Sequence, residues 1–104
     1  MGFTEANDDD FEKIVGKGLA VVDFWAPWCG PCKLFGPTFE EISGELKGMK
    51  FVKVNTDLCQ KTANRFNIRS VPTIVVFKGG AEIERFQGVF NKEQFTNKLK
   101  KFVA

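Results

Sequence analysis

Two cysteines separated by two residues, in the segment Cys29-Gly30-Pro31-Cys32, are the side chains best suited to chemistry. Thiolates are nucleophiles and metal ligands, and two thiols at this spacing can close a small disulfide ring. The chain contains three Cys but neither His nor Tyr. An imidazole base or metal ligand is therefore excluded. Any acid–base step near neutral pH must use a carboxylate, a Lys or a thiol whose pKa is shifted by its surroundings.

The position of the two thiols predicts different roles for them. They lie between an apolar run, Leu19 to Ala26, and a long amphipathic stretch. A thiol on the first turn of a helix is close to unpaired N–H groups and the positive end of the helix dipole, which lower its pKa. We therefore expect Cys29 to be the nucleophile. We expect Cys32, one turn further in, to be more buried and to stay protonated until it resolves an intermediate.

Two other interpretations of this pair are weaker. A closed zinc site normally has four protein ligands, and the chain offers only one further Cys, Cys59, and no His. Inert core cysteines would not need Gly-Pro between them or Trp28 beside them. Redox chemistry is the favoured interpretation.

Asp23 interrupts the apolar run with a carboxylate. A carboxylate inside a covered strand costs free energy unless it is paired or protonated, and burial raises its pKa. The alternative is an Asp at the exposed end of the strand, against which the apolar neighbours on both sides argue. We expect Asp23 to be buried and functional.

Hydrophobic patterning predicts the elements that position these residues. In chain order they are a helix at about 8–16, a central strand at 19–26, a helix ending at about 47, a strand at 51–55, a short helix ending near 66, a strand at 73–77, a return strand at 83–87 and a last helix capped by Asn91 with Gln94.

This order predicts an α/β fold, a mixed sheet with helices on both faces. The early strands should pair in parallel through right-handed crossovers, whereas the tight turn at 78–80 makes the last two strands antiparallel. Ligands in such sheets bind where strands end and helices begin. The two cysteines lie at such a junction.

The chain of 104 residues has a formal charge of +2 that is spread along its length. This length predicts one domain, residues 1–104, and the charge pattern gives no reason to expect nucleic acid or a membrane as a partner. The start of the chain is acidic, whereas a signal peptide starts basic and then becomes apolar. We therefore expect a cytoplasmic protein, although a chain that had lost a transit peptide would look the same.

The segment Val22 to Lys33, which reads VDFWAPWCGPCK, resembles the active-site segment of thioredoxins. The resemblance covers nearly the whole chain and continues at Pro37, Lys53, Val71-Pro72-Thr73 and Gly88. It implies a thioredoxin fold in a single domain, with a central mixed five-stranded sheet flanked by about four helices.

The activity that this resemblance implies is general protein-disulfide reduction. In the family, the residue matching Cys29 attacks a substrate disulfide, and the residue matching Cys32 then attacks the mixed disulfide and releases reduced substrate. No bound cofactor or metal is implied, because an external thioredoxin reductase reduces the Cys29–Cys32 disulfide. The implied partners are that reductase and protein disulfide substrates such as peroxiredoxins or reductase enzymes, and the expected state is a monomer.

The resemblance also assigns roles to residues around the cysteines. Asp23 would be the buried acid that exchanges a proton with Cys32 through a water, and Lys53 would pair with that acid from the adjacent strand. Without the resemblance, a lone strand lysine such as Lys53 would be interpreted as a surface charge.

The substrate groove is likewise implied by the resemblance. The bond before Pro72 would be cis, which leaves the backbone of Val71 free to pair with an extended substrate. Base rates alone would favour a trans proline. The rim of this shallow apolar groove would comprise Trp28, Gly30, Pro31, Val71, Pro72 and Gly88.

Two alternative functions remain open. A disulfide oxidant or isomerase typically carries a His between the cysteines, so Gly30-Pro31 favours a reductant. A non-enzymatic subunit of a larger complex would use the fold as a clamp. Cys59 departs from the family pattern. We interpret it as an inert thiol; the alternatives are a regulatory site or an intermolecular disulfide.

Overall fold

The computed structural model describes residues 2–104 and contains one sheet with helices on both of its faces. The elements in chain order are β1 (Phe3–Ala6), α1 (Phe11–Val15), β2 (Leu19–Trp25), α2 (Gly30–Ser43), β3 (Lys50–Asn55), α3 (Gln60–Arg65), β4 (Thr73–Lys78), β5 (Ala81–Gln87) and α4 (Lys92–Val103).

The sheet is mixed, with strand order β1-β3-β2-β4-β5. β2 pairs in parallel with β3 and antiparallel with β4. β1 adds in parallel to β3, and β5 adds antiparallel to β4. The prediction of parallel early strands followed by an antiparallel hairpin is confirmed. β5 forms one edge and carries Glu82, Glu84 and Arg85, of which Arg85 is ion-paired with Glu82.

Each face of the sheet buries an apolar core. α1 contributes Phe11 and Val15 to one of these cores, where the ring centres of Phe11 and Phe77 lie 5.7 Å apart. α2 and α4 cover the other face, where the Phe35 and Phe95 rings meet edge to face at 5.0 Å. Because both faces are covered, β2 is apolar almost throughout, as predicted for a central strand.

The helix ends follow local capping rules. The predicted cap of α4 is confirmed: Asn91 accepts from the N–H of Gln94, and the Gln94 side chain accepts from the N–H of Asn91. α2 ends at Ser43 with Gly44 as its C-cap, earlier than the predicted end near residue 47. Pro37 lies inside α2.

Two parts of the N-terminal region differ from expectation. β1 was not predicted, because an edge strand of four residues with polar Thr4 and Glu5 lacks a long apolar pattern. α1 starts at Phe11, whereas the helix was expected from about residue 8. Asp8, Asp9 and Asp10 lie in a non-helical turn before it. One of them, Asp8, caps α3: its Oδ1 accepts from the N–H of Thr62 at 2.9 Å and from the Thr62 hydroxyl at 2.7 Å.

Candidate active site

The two cysteines lie at the start of α2, directly after the loop that follows β2. Cys29 is the N-cap residue and Cys32 belongs to the first turn, and the two are joined as a disulfide. The N–H of Cys32 donates to Cys29 Sγ at 3.1 Å. Such a donor, together with the positive end of the helix, favours a thiolate at Cys29.

The predicted difference in burial between the cysteines is not confirmed. Cys29 is 4% exposed and Cys32 is 6% exposed. Their different environments come from the helix end: Cys29 Sγ receives the N–H bond, and Cys32 supplies it.

The loop before β4 lies against the nucleophile. The Val71–Pro72 peptide bond is cis, as predicted, and the Val71 carbonyl oxygen is 3.6 Å from Cys29 Sγ. The N–H of Gly88 donates to the Pro72 carbonyl at 3.4 Å, so the end of β5 lies beside the same loop. The structure therefore brings Val71, Pro72 and Gly88 together, with the Val71 carbonyl in contact with Cys29.

Trp28 stands at the surface next to the disulfide. It is 70% exposed, and its Nε1–H donates to Asp57 Oδ1 at 3.2 Å, which fixes the indole ring. A shallow depression of about 160 Å³ lies between Trp28 and Val71. Gly30 and Pro31 are exposed on the first turn of α2. The exposed Trp28 ring thus adjoins the disulfide, beside a depression whose lining mixes apolar residues with Thr56, Arg69 and Ser70.

Asp23 is buried within β2, which rules out the alternative of an exposed strand end. It is 1% exposed, and within residues 2–104 its Oδ1 has no hydrogen-bond partner. Burial raises its pKa from 3.8 to about 7, with Lys53 acting in the opposite direction. A carboxyl group of this kind can gain or lose a proton near neutral pH.

Lys53 is buried too, so it is not a surface charge. It is 8% exposed and lies opposite Asp23 in the β2–β3 register. Lys53 faces Asp23 from the adjacent strand as expected and acts on it through its charge, but its direct ion pair, at 2.8 Å, is from Nζ to Glu40 Oε2. Glu40 reaches this position from α2, above the strand, whereas Asp23 lies in the neighbouring strand.

Three acidic residues around the site were missed in the sequence. Glu40 bonds Lys53, Glu5 lies opposite Lys53 in β1, and Asp57 holds Trp28. Burial raises the pKa of Glu5. Of the three, the sequence points only to Glu40. It lies between Phe39 and Ile42 on the amphipathic helix, which places it next to the buried face.

Cys59 lies away from the disulfide. It is buried, its Sγ is 3.5 Å from the carbonyl oxygen of Ala6, and burial raises the pKa of its thiol. These features agree with the inert interpretation. Within residues 2–104, no group of three or more Cys, Asp or Glu is arranged to bind a metal ion, and no helix there is both long and apolar enough to cross a membrane.

Known proteins resemble this chain over nearly its whole length. The family model described as Thioredoxin matches residues 2–101. A chloroplastic M-type thioredoxin of Chlamydomonas reinhardtii is 44% identical over 100 residues, which cover 93% of this chain and 71% of that protein. A thioredoxin of Synechocystis is 41% identical over 102 residues, which cover 95% of each chain. The crystal structure of a Malassezia sympodialis thioredoxin superposes with a TM-score of 0.90 at 34% identity, covering 98% of this chain and 91% of that one.

Proposed function

We propose, given that this chain belongs to the thioredoxin family, that Cys29 and Cys32 divide its protein-disulfide reductase activity between attack and release. The observation that carries this assignment is the 3.1 Å bond from the Cys32 N–H to Cys29 Sγ at the start of α2. The sulfur that receives a backbone donor at a helix N-terminus is the better thiolate, and hence the attacking one.

The reaction is two consecutive thiol–disulfide exchanges. The Cys29 thiolate attacks one sulfur of the substrate disulfide; the substrate S–S bond breaks, and the other sulfur leaves as a thiolate. Cys32 then loses its proton and attacks Cys29 Sγ. The mixed disulfide breaks, the second substrate sulfur leaves, and the Cys29–Cys32 disulfide forms. Two electrons have passed from this protein to the substrate.

Asp23 is proposed as the group that takes the proton from Cys32, through a water. Its burial, its pKa of about 7 and the absence of a hydrogen-bond partner for its Oδ1 among residues 2–104 support this role. A base with a pKa near the working pH is suited to general base catalysis. Lys53 assists by its positive charge, which opposes the effect of burial on Asp23.

The proposed substrate groove runs from Trp28 to the cis-proline loop. Val71 offers backbone groups for pairing with an extended segment, and its carbonyl lies beside Cys29 Sγ. Such strand addition would place a substrate disulfide against the nucleophile. The other proposed contacts are Trp28, Gly30, Pro31, Pro72 and Gly88.

The electron source and the partners are proposed from the family. Proteins of this family are typically reduced by a thioredoxin reductase, and we assign that role to an external enzyme that reduces the Cys29–Cys32 disulfide. Proposed substrates are protein disulfides such as those of peroxiredoxins or reductase enzymes, and the proposed state is a monomer of one domain. The cytoplasm, where thiols are kept reduced, is the proposed location; the relatives include chloroplastic and bacterial forms.

The equilibrium potential of the Cys29–Cys32 couple tests the direction of the reaction. We would equilibrate the Cys59→Ser variant with glutathione buffers, so that one dithiol alone titrates. A potential more negative than that of the glutathione pool is expected for a reductase. A potential well above that of the glutathione pool would show an oxidant or isomerase instead. Failure to form the disulfide would favour the alternative of a non-enzymatic subunit.

A further inference from the structure

Three acidic residues from three elements lie near Lys53, and one of them, Glu5, is exposed at the edge of the sheet. Glu5 of β1 and Asp23 of β2 lie on either side of Lys53 in the same row of the sheet. Glu40 approaches from α2 and makes the direct ion pair at 2.8 Å. Within residues 2–104, the buried Lys53 therefore forms its ion pair with Glu40 and acts on Asp23 and Glu5 through its charge.

The position of the ammonium group is closely defined. Lys53 Nζ lies 5.1 Å from the centre of the Trp25 ring and 5.5 Å from that of Phe3, which are favourable cation–π distances. A Cβ on Gly36, one turn before Glu40, would be 3.8 Å from Nζ, so the backbone of α2 passes close above it. The aromatic rings and α2 enclose the group, and Glu40 supplies its charged hydrogen-bond partner.

We propose that Glu40 is a positioning residue that holds the Lys53 ammonium group in place and thereby controls the proton affinity of Asp23. This inference rests on the proposed function, in which Asp23 serves as the base for Cys32. Glu40 acts through Lys53 and takes no part in the exchange of sulfur bonds.

The charges that face Asp23 determine the direction of the effect. Lys53 of β3 favours the carboxylate, Glu5 of β1 and Glu40 of α2 disfavour it, and the β4 neighbour Ile74 carries no charge. The Cys29–Cys32 disulfide at the start of α2 does not titrate. Replacing Glu40 by Gln removes one negative charge and leaves Lys53 at most a neutral hydrogen-bond partner in place of the ion pair. Both changes favour the ionised form of Asp23.

The test is a titration of the Asp23 carboxyl carbon by NMR in the oxidised protein. In Glu40→Gln we expect the pKa of Asp23 to fall by less than about one pH unit, because a charge in direct contact moves a carboxyl pKa by about 1–3 pH units and Glu40 acts on Asp23 more weakly than Lys53 or Glu5 does. Glu41→Gln is the matched control, because Glu41 pairs with Lys92 on the surface. It should leave the titration of Asp23 unchanged. An unchanged titration in Glu40→Gln would overturn the proposal.

Two further variants distinguish an effect of Glu40 that acts through Lys53 from a direct effect of the Glu40 charge on Asp23. Glu40→Asp keeps the charge and should return the Asp23 titration towards that of the unmodified chain. In a Lys53→Met background, Glu40→Gln should shift Asp23 clearly less than it does when Lys53 is present. An equal shift in both backgrounds would overturn a role that acts through Lys53.

The pH profile of protein-disulfide reduction distinguishes the two proposals. If Asp23 is the base, the rise of activity with pH should move to lower pH in Glu40→Gln together with the NMR titration. If the titration moves and the profile does not, Glu40 controls Asp23 as proposed, but Asp23 is not the base.

Discussion

Asp23 and Lys53 lie opposite each other on neighbouring strands, yet within residues 2–104 the Lys53 ammonium group forms its ion pair with Glu40 and not with Asp23. A buried acid in this position is easier to protonate than a paired one, because no direct contact compensates for its lost hydration. The arrangement gives the protein a group that titrates near neutral pH at a cost in stability.

That cost can be measured by unfolding Asp23→Asn. The pKa of Asp23 is raised from 3.8 to about 7 in the folded chain. Between these two pH values Asp23 is protonated in the folded chain and ionised in the unfolded chain. The free energy of unfolding therefore falls as pH rises from 3.8 to about 7. We expect Asp23→Asn to be more stable than the unmodified chain at pH ~8, by up to about 4 kcal/mol, and equally stable at pH ~3.5.

Urea unfolding of the oxidised proteins at both pH values would check this expectation. Asp9→Asn serves as a control, because Asp9 is an exposed residue of the turn before α1. A stability gap of the same size at both pH values would show that packing, not ionisation, is responsible.

Separate substitutions of the two cysteines should have different effects. Cys29→Ser should be inactive and form no adduct, because the attacking sulfur is lost. Cys32→Ser should attack a substrate disulfide once and remain as a mixed disulfide, since the second attack is missing. Mass spectrometry after incubation with a protein disulfide would detect that adduct. Cys59→Ser should turn over normally, and an adduct at Cys29→Ser would reverse the assigned roles.

Trp28 is expected to contribute to the binding of protein substrates rather than to the exchange itself. Its exposed indole, held by Asp57, offers a rigid apolar contact of the kind that dominates interfaces. Trp28→Ala should raise KM for a protein disulfide about tenfold, which corresponds to about 1.4 kcal/mol. Steady-state assays with a protein and with a small disulfide would separate binding from chemistry.

Ile83→Ala is the control for that measurement. Ile83 is an exposed apolar residue near Gly18 and Lys101, by the start of β2, whereas the active site follows the end of that strand. Ile83→Ala should leave KM unchanged for both the protein disulfide and the small disulfide. An equal loss with the small disulfide in Trp28→Ala would contradict a role in protein binding.

Asp8 should stabilise the fold by capping α3 from a distant part of the chain. Its bonds to Thr62 lower the pKa of its carboxyl group, so the stabilisation is present at neutral pH and is lost as pH falls below the ordinary value of 3.8. Asp8→Ala should therefore melt at a lower temperature at neutral pH, and the difference should shrink in acid. Calorimetry at two pH values tests this, with Asp9→Ala as the neighbour that should change nothing.

Much of this architecture could be predicted because its signals are local. The apolar run around Asp23, the Gly pair at 79–80 and the Asn91–Gln94 cap each specify their element within a few residues. The burial of Asp23 followed from its neighbours in the same strand. These features need no knowledge of which elements meet in space.

The remaining features depend on contacts between distant segments. Glu40 and Lys53 are 13 residues apart, and Asp57 is 29 residues from Trp28. A helix glutamate beside a buried face is ordinarily a solvated charge, so only the packing of α2 over β3 reveals its partner. β1 was missed for the same reason: its pairing with β3 defines it as a strand.

The β4–β5 hairpin also covers one edge of β4. β4, buried along nearly its whole length, is the kind of strand that would template intermolecular pairing if its side were free. β5 occupies that side, and it presents Glu82, Glu84 and Arg85 along the outermost row of backbone groups. Another chain that approached this edge would have to bury those charges, so the hairpin disfavours the growth of fibrils by strand addition next to β4.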